Sequence, residues 1–510
     1  MTVRPLAFLV LVLGAGSCAL MGSFDGDYEL TGTSAPALDD DGDGGETGTE
    51  GGGGATGPGG SAGGQPLGCE EACPTGRCVD DLCVPWVDTF SSSGFIRAVS
   101  VGTSGMGDVV VGGDFELNAL VGMQTLSSQG MNDVFIARYA RHGEPKWVKS
   151  FGGVDFDELG GMAVDDDGDT YVAMRCNHMS LSGLGTIGTG GGDDICLLRL
   201  GPSGDAVWAR SFGQWGWEAP LDVAVSAEGV FVVGRYDGNV DFDGFTLAGG
   251  TQSGFVIGVD KIDGSVSWAV DVPSPTYAEA SAVAAKGDKV FVGGRFGSWT
   301  DIQGYMLSDD DGTEDLFVAS FNAKSGTAHW VKRLHNLPGG GWAELRDIAV
   351  VGPDAIIAGS FQGPWNFDGP PVTSFNPQGY VARIGGPMGR VWFHATTGTS
   401  FAEMTGVATN DMGDVVVTGA MDGASSFGPH PLTVDTNTFG AFIGHVGPSG
   451  DVLGAESLEG AGAEYATAPH IHANDGNLLF VGDFDGTLQV GDEQHVANGW
   501  EAYLVSHGAF

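Results

Sequence analysis

The chain has 510 residues, 42% of them hydrophobic, and 90 glycines dispersed along its length, a globular composition that excludes a collagen-like repeat. Its 21 basic residues against 65 acidic ones leave a net charge of −44. That balance excludes nucleic acid as a partner, because phosphates must be neutralised by Lys and Arg. It also keeps the bare surface off anionic lipid and favours an attraction for cations or basic partners.

Residues 1–18 read as an export signal. Arg4 precedes an apolar run from Leu6 to Leu13, and small residues lead to Cys18. The run is too short for a resident membrane helix. Ala15-Gly16-Ser17-Cys18 resembles the bacterial lipobox, departing from it at Ala15, where that family prefers Leu. The resemblance implies lipidation of Cys18, so that membrane contact comes only through the anchor, and Ala19 resembles the residue of lipoproteins forwarded to the outer membrane. The plainer reading is an ordinary signal peptide with an incidental Cys18.

Residues 19–68 contain no basic residue and are rich in Gly, Asp, Glu, Thr and Ser, so they bury too little apolar surface to order themselves. A flexible tether of this length reaches roughly 40 Å. The run Asp39-Asp40-Asp41-Gly42-Asp43 resembles a calcium loop but lacks the bidentate Glu such a loop needs. Residues 69–84 hold Cys69, Cys73, Cys78 and Cys83. In an exported chain, four such residues read as two disulfides, with three connectivities open and a zinc site as the rival.

From Trp86 to Phe510 one pattern recurs with a period of about 60 residues. One strand ends in Gly-x-aromatic, as in Gly113-Asp114-Phe115, Gly234-Arg235-Tyr236, Gly294-Arg295-Phe296, Gly359-Ser360-Phe361 and Gly482-Asp483-Phe484. Another is opened by Trp86, Trp147, Trp208, Trp268, Trp330 and Trp392. Four short strands per repeat, separated by Gly/Asp turns, describe a propeller blade. The expected fold is all-β: a seven-bladed β-propeller of four-stranded antiparallel blades over 86–510. The last repeat lacks an outer strand, and Trp86-Val87-Asp88-Thr89-Phe90 stands alone before the first, so the N-terminal strand is expected to complete the last blade.

In the second repeat Cys176 and Cys196 occupy positions that elsewhere carry aromatic pairs such as Phe115 with Phe135 and Tyr236 with Phe255. A paired replacement of this kind predicts a disulfide between neighbouring strands.

The repeat is similar to the bacterial SBBP-type β-propeller family. The similarity rests on Trp147-Val148-Lys149-Ser150-Phe151-Gly152, Ala163-Val164 followed by Gly168-Asp169-Thr170-Tyr171-Val172, and Asp241-Phe242-Asp243-Gly244. It covers 86–510 and implies an exported protein of a Gram-negative bacterium; it implies no catalytic residue.

Glu158, Glu218, Glu279, Glu344, Glu403 and, shifted by one, Glu464 recur in the loops that join one blade to the next. With the loops around Asp241-Phe242-Asp243-Gly244 they predict one acidic end of the ring, either a binding face or a set of acceptors for local backbone N–H groups. His470 and His472 share one face of an inner strand and are weak metal candidates without a third ligand. The tract Asp165-Asp166-Asp167-Gly168-Asp169 reads first as a hairpin turn and second as a calcium loop. No cofactor is expected beyond that calcium.

The expected function is a noncatalytic binding or scaffolding module, acting as a monomer on extracellular protein or polysaccharide. The enzyme alternative is a carbohydrate hydrolase or lyase using carboxylates of the acidic end.

Overall fold

A computed structural model describes residues 77–79, 82–84 and 86–507, apart from 189–190, 214–215, 310–311, 387, 399, 435–437, 459, 472–477 and 491–492; for 77–84 and 460–471 only the backbone is described. The calls at Cys18, Cys69, Cys73 and His472, the tether and the Asp39–Asp43 run therefore lie outside the described residues. The backbone of 77–84 forms a hairpin in which Cys78 lies opposite Cys83.

Among the described residues there is no helix. The chain is a β-propeller of four-stranded antiparallel units, each running from an inner strand outward. In the third unit, for example, Glu218–Ser226 pairs Gly229–Tyr236, which pairs Ser253–Val259, which pairs Val266–Val272. The inner strands are Ile96–Thr103, Glu158–Val164, Glu218–Ser226, Ala278–Lys286, Trp342–Val351, Ala402–Thr409 and Gly460–Ile471. Each packs against the next, and the last packs against the first, so the series closes on itself. The closure is sealed as expected: Trp86–Ser92 pairs antiparallel with Glu493–His507, setting Trp86 opposite Ser506 and Phe90 opposite Ala502. Ser91 and Ser92 then pair with Leu120 and Ala119, carrying the sheet onward into the first unit.

The inner strands explain the Gly-x-aromatic motif. Each bulges once near its start, at Val99, Gly160, Leu221, Ser281, Arg346 and Thr405 in the first six units. The bulge turns a carbonyl toward the second strand. A Cβ on Gly113, Gly234, Gly294, Gly359 or Gly419 would overlap the carbonyl oxygen of Arg97, Ala219, Glu279, Glu344 or Glu403, respectively. A ring from the third strand, such as Phe255 over Gly234 or Phe317 over Gly294, covers the same spot.

In the second unit that pair is rebuilt. Met174 stands where Gly is usual, and Cys196 replaces the covering ring. Cys196 forms a disulfide with Cys176, with Cα atoms 5.9 Å apart. Cys196 lies opposite Met174, and Cys176 opposite Asp194, so the bridge is diagonal. It takes the place of ring contacts such as Phe115 with Phe135 at 6.5 Å and Phe361 with Tyr380 at 6.1 Å.

The tryptophans join unit to unit. Each outer-strand indole lies on the turn between the third and fourth strands of the following unit. Trp147 Nε1 donates to Pro202 O, Trp208 Nε1 to Lys261 O and Trp268 Nε1 to Ala323 O, each at 2.9 Å. The glycine of that turn gives the ring its seat: a Cβ on Gly204 would stand 2.9 Å from Trp147, and one on Gly264 2.8 Å from Trp208. The sixth outer strand, Val452–Ser457, has Gly454 in the tryptophan's place, opposite His445. The unit after it has no such turn, because its outer strand is the separate segment Trp86–Ser92. A tryptophan at 454 would have no seat.

Blades diverge outward, and hairpins between second and third strands fill the widening gaps. Phe242 of Asn239–Phe242 reaches Phe212 of the preceding outer strand at 5.4 Å and Phe255 of its own unit at 5.1 Å.

Candidate functional site

The end of the ring where the inner strands begin carries the repeated glutamates, and the structure pairs most of those it describes with arginines. Glu158 lies 3.0 Å from Arg175, which also reaches Asp193 at 3.3 Å. Glu279 takes Arg295 at 2.9 Å and Arg235, from the preceding unit, at 3.3 Å. Arg346 joins Glu344 at 2.6 Å and Glu403, of the next unit, at 3.8 Å. Glu218 is buried. Glu464 and His470 are placed by backbone alone, opposite Phe484 and Leu479.

Three of these arginines have a simple origin in the repeat: Arg175, Arg235 and Arg295 are the middle residue of the Gly-x-aromatic position, across from the start of the inner strand. The first unit reverses the signs, with Arg97 bound to Asp114 at 2.7 Å. Arg346 is the bulged residue of its strand. Arg295 is engaged at each of its nitrogens: Nε donates to Glu279, Nη1 to Glu314 and Nη2 to the Tyr277 hydroxyl, and its guanidinium lies 4.7 Å from the Tyr277 ring centroid. Burial opposes its charge, yet Glu279, Tyr277 and Glu314 raise its pKa above the usual arginine value. Burial also raises the Glu403 carboxyl, with Arg346 opposing.

At the start of each of the first six inner strands, or one or two residues before it, stands an aromatic: Phe95, Phe156, Trp217, Tyr277, Trp342 and Phe401 in successive units. Trp217 is 67% exposed, and Phe95, Phe156 and Trp342 are also exposed. These rings form a collar around the charged mouth. Their spacing was visible in the repeat; their shared position appears only once the pairings align Ala219, rather than Glu218, with Arg235.

One expectation about acidic loops changes, and the first reading of another, as a turn, is met. The Asp241-Phe242-Asp243-Gly244 tip does not join this end of the ring. Asp243 and Gly244 both take positive φ in a two-residue hairpin turn. Asp241 caps Gly244 N at 2.9 Å, and Asp243 accepts from Val266 N at 3.0 Å, beside the turn at the opposite end. The hairpin folds back because its apolar residues fill the gap between blades. In the Asp165–Asp169 tract the backbone closes a turn, Asp165 N to Asp169 O at 3.0 Å. Its carboxylates are engaged by Lys261 at 2.7 Å and Arg199 at 2.5 Å. Among the described residues no group of three or more His, Cys, Asp or Glu is gathered for a metal.

Deeper toward the axis, carboxylates stitch neighbouring units. Asp222 accepts from Val283 N of the next unit at 2.8 Å, and Asp347 from Val407 N at 2.7 Å. Asp114 accepts from Leu159 N at 2.6 Å, and Asp483 from Ala98 N at 3.2 Å, across the seam between the last and first units.

A cleft opens between the fourth and fifth units. It comprises two neighbouring cavities that share Arg295 and Glu344 as lining: one of about 270 Å³ at the mouth, also lined by Leu221 and Arg235 of the third unit, and one of about 300 Å³ flanked by Trp342.

No family model matches the chain, and no curated protein matches it. Solved structures of similar shape include BamB from Moraxella catarrhalis, 12% identical over 82% of this chain and 99% of that one, with a TM-score of 0.35. A quinohemoprotein alcohol dehydrogenase from Comamonas testosteroni is 10% identical over 83% of this chain and 77% of that one, with a TM-score of 0.38. The Pan2 WD40 domain of Neurospora crassa is 10% identical over 63% of this chain and 86% of that one, with a TM-score of 0.32. The propeller assignment stands on the strand pairings of the chain itself.

Proposed function

We propose that this chain is a noncatalytic binding module: a surface lipoprotein of the SBBP-like kind, held by Cys18, spaced by the 19–68 tether and a disulfide collar at Cys69, Cys73, Cys78 and Cys83, and presenting a seven-bladed ring. It acts as a monomer on extracellular protein or polysaccharide. The observation that carries the reading is the set of exposed rings Phe95, Phe156, Trp217 and Trp342 beside a mouth of arginine–glutamate pairs. Most other aromatics of the repeat are buried anchors; these four remain at the surface, where large amphipathic rings favour recognition. The test is affinity capture from cell-envelope material by the full chain and by a variant combining Phe156→Ala, Trp217→Ala and Trp342→Ala. Species retained by the parent and lost by the variant support the face; identical retention by both overturns it.

A second reading makes Glu403 a proton donor and Glu344 a base in carbohydrate hydrolysis. It is favoured by the burial that raises Glu403 and by the Arg346 that both glutamates share. Release of new reducing ends from a polysaccharide, abolished in Glu403→Gln, is its signature.

A further inference from the structure

The cleft between the fourth and fifth units has a lining of unusual balance for so acidic a chain. Its charged residues are Arg235, Arg295, Arg346, Glu279, Glu314 and Glu344, three of each sign, so its formal charge is zero. We propose that it binds an uncharged oligosaccharide segment, with Trp342 as the stacking platform and the arginine–glutamate pairs as partners for hydroxyl groups. The proposal rests on the reading of this end as the binding face and names the ligand class.

The chemistry follows from how the groups are held. Arg295 directs Nε, Nη1 and Nη2 to Glu279, Glu314 and Tyr277, which fixes those oxygens as acceptors. Arg235 and Arg346 are 43% and 49% exposed, and a guanidinium carries five N–H donors, more than Glu279 takes from Arg235 or Glu344 and Glu403 take from Arg346. The opening therefore offers fixed acceptors beside spare donors, the combination that a sugar hydroxyl, donor and acceptor at once, satisfies. A polyanion would meet three carboxylates here and a net charge of −44 elsewhere. Trp342 donates Nε1 to Gln362 Oε1 at 3.0 Å, which holds the indole in place while it stays exposed beside the cavity.

The experiment uses the full chain and four probes: cellohexaose, xylohexaose, mannohexaose and, as the charged probe, hexagalacturonate. Calorimetry and tryptophan fluorescence read binding. At least one neutral hexasaccharide is expected to bind, with quenching of tryptophan emission and affinity at least tenfold above that for hexagalacturonate. Trp342→Ala and Arg346→Ala should each weaken it about tenfold without moving Tm, whereas Met412→Ala, on an exposed turn at the other end, should leave it unchanged. No binding by any neutral probe, preference for hexagalacturonate, or indifference to both cleft variants overturns the proposal. If the neutral probes fail while the triple collar variant still loses its envelope partner, the face stands and the glycan assignment falls. If both fail, the face falls with it.

Discussion

Trp86 of the closing strand lies against Gly143, in the turn between the third and fourth strands of the first unit, where a Cβ would stand 2.8 Å from the indole. The same residue is paired to Ser506 of the last unit. One side chain therefore belongs to the sheet of the last unit and to the packing surface of the first, and the seam of the ring passes through it.

Replacing Trp86 should cost more than replacing an equivalent residue within a continuous unit. Trp86→Ala removes a fully buried side chain, for which about 3–5 kcal/mol is usual. Denaturant unfolding should show that loss, and limited proteolysis should begin near residues 86–92. A change under 1 kcal/mol would mean that the seam is held elsewhere.

Gly294→Ala should destabilise although glycine-to-alanine usually helps a strand. The new Cβ meets the Glu279 carbonyl and the Phe317 ring, and overpacking of this kind costs about 1–3 kcal/mol. The comparison is Gly454→Ala, where a Cβ meets nothing within 4 Å among the described residues, so its Tm should stay within a degree or two of the parent.

The Cys176–Cys196 bridge closes a segment with a sequence separation of 20. Loop-closure entropy sets its contribution at about 3 kcal/mol. Cys176→Ser with Cys196→Ser should lower stability by about that much, and peptide mapping of the unreduced parent should recover the two cysteines linked. Recovery of both as free thiols ends the idea.

Stability should fall as pH rises from about 5.5 to 8.5. Burial pushes Asp222 up to about 8, with Asp347 adding repulsion, and burial pushes Asp347 and Asp483 to about 7 and Asp114 to about 6. A carboxyl raised in the folded state favours folding while protonated, so its contribution is complete below the unfolded value near 3.8 and is lost through 6–8. Calorimetric Tm across that range is the measurement. A Tm that is flat or rises toward pH 8.5 contradicts the assignment.

The ring, the borrowed strand and the disulfide were legible because each is written as a repeat or as a break in one. Trp86 without a unit before it, and Cys176 with Cys196 in aromatic positions, are deviations that only a period exposes. The reasons behind the repeat were not legible. Gly294 is read from the sequence only as part of a strand-ending motif, and the cause of the glycine is a carbonyl on another strand. Gly454, in the tryptophan's place of the sixth unit, carries no sequence signal of its own; among the described residues the unit after it has no turn between third and fourth strands, because its outer strand is Trp86–Ser92. The glutamates drew attention as an acidic rim, whereas their partners Arg235 and Arg346 sit one unit away or at a bulge. Pairing across units depends on register, and register is set by bulges that leave little trace in composition.

The strand Trp86–Ser92 has a temporal consequence. It is made first and pairs last, since its partner Glu493–His507 lies about 400 residues downstream. At roughly 5–20 residues per second, it waits some 20–80 seconds with Val87 and the backbone edge that Glu493–His507 later pairs uncovered, while Trp86 and Phe90 gain partners as soon as Gly143 and Phe135 of the first unit are made. Contacts of such span are slow to form. The finished molecule hides its most vulnerable edge, while the nascent one displays that edge for nearly its whole synthesis, so holding 86–92 apart from other chains is the step on which yield should turn.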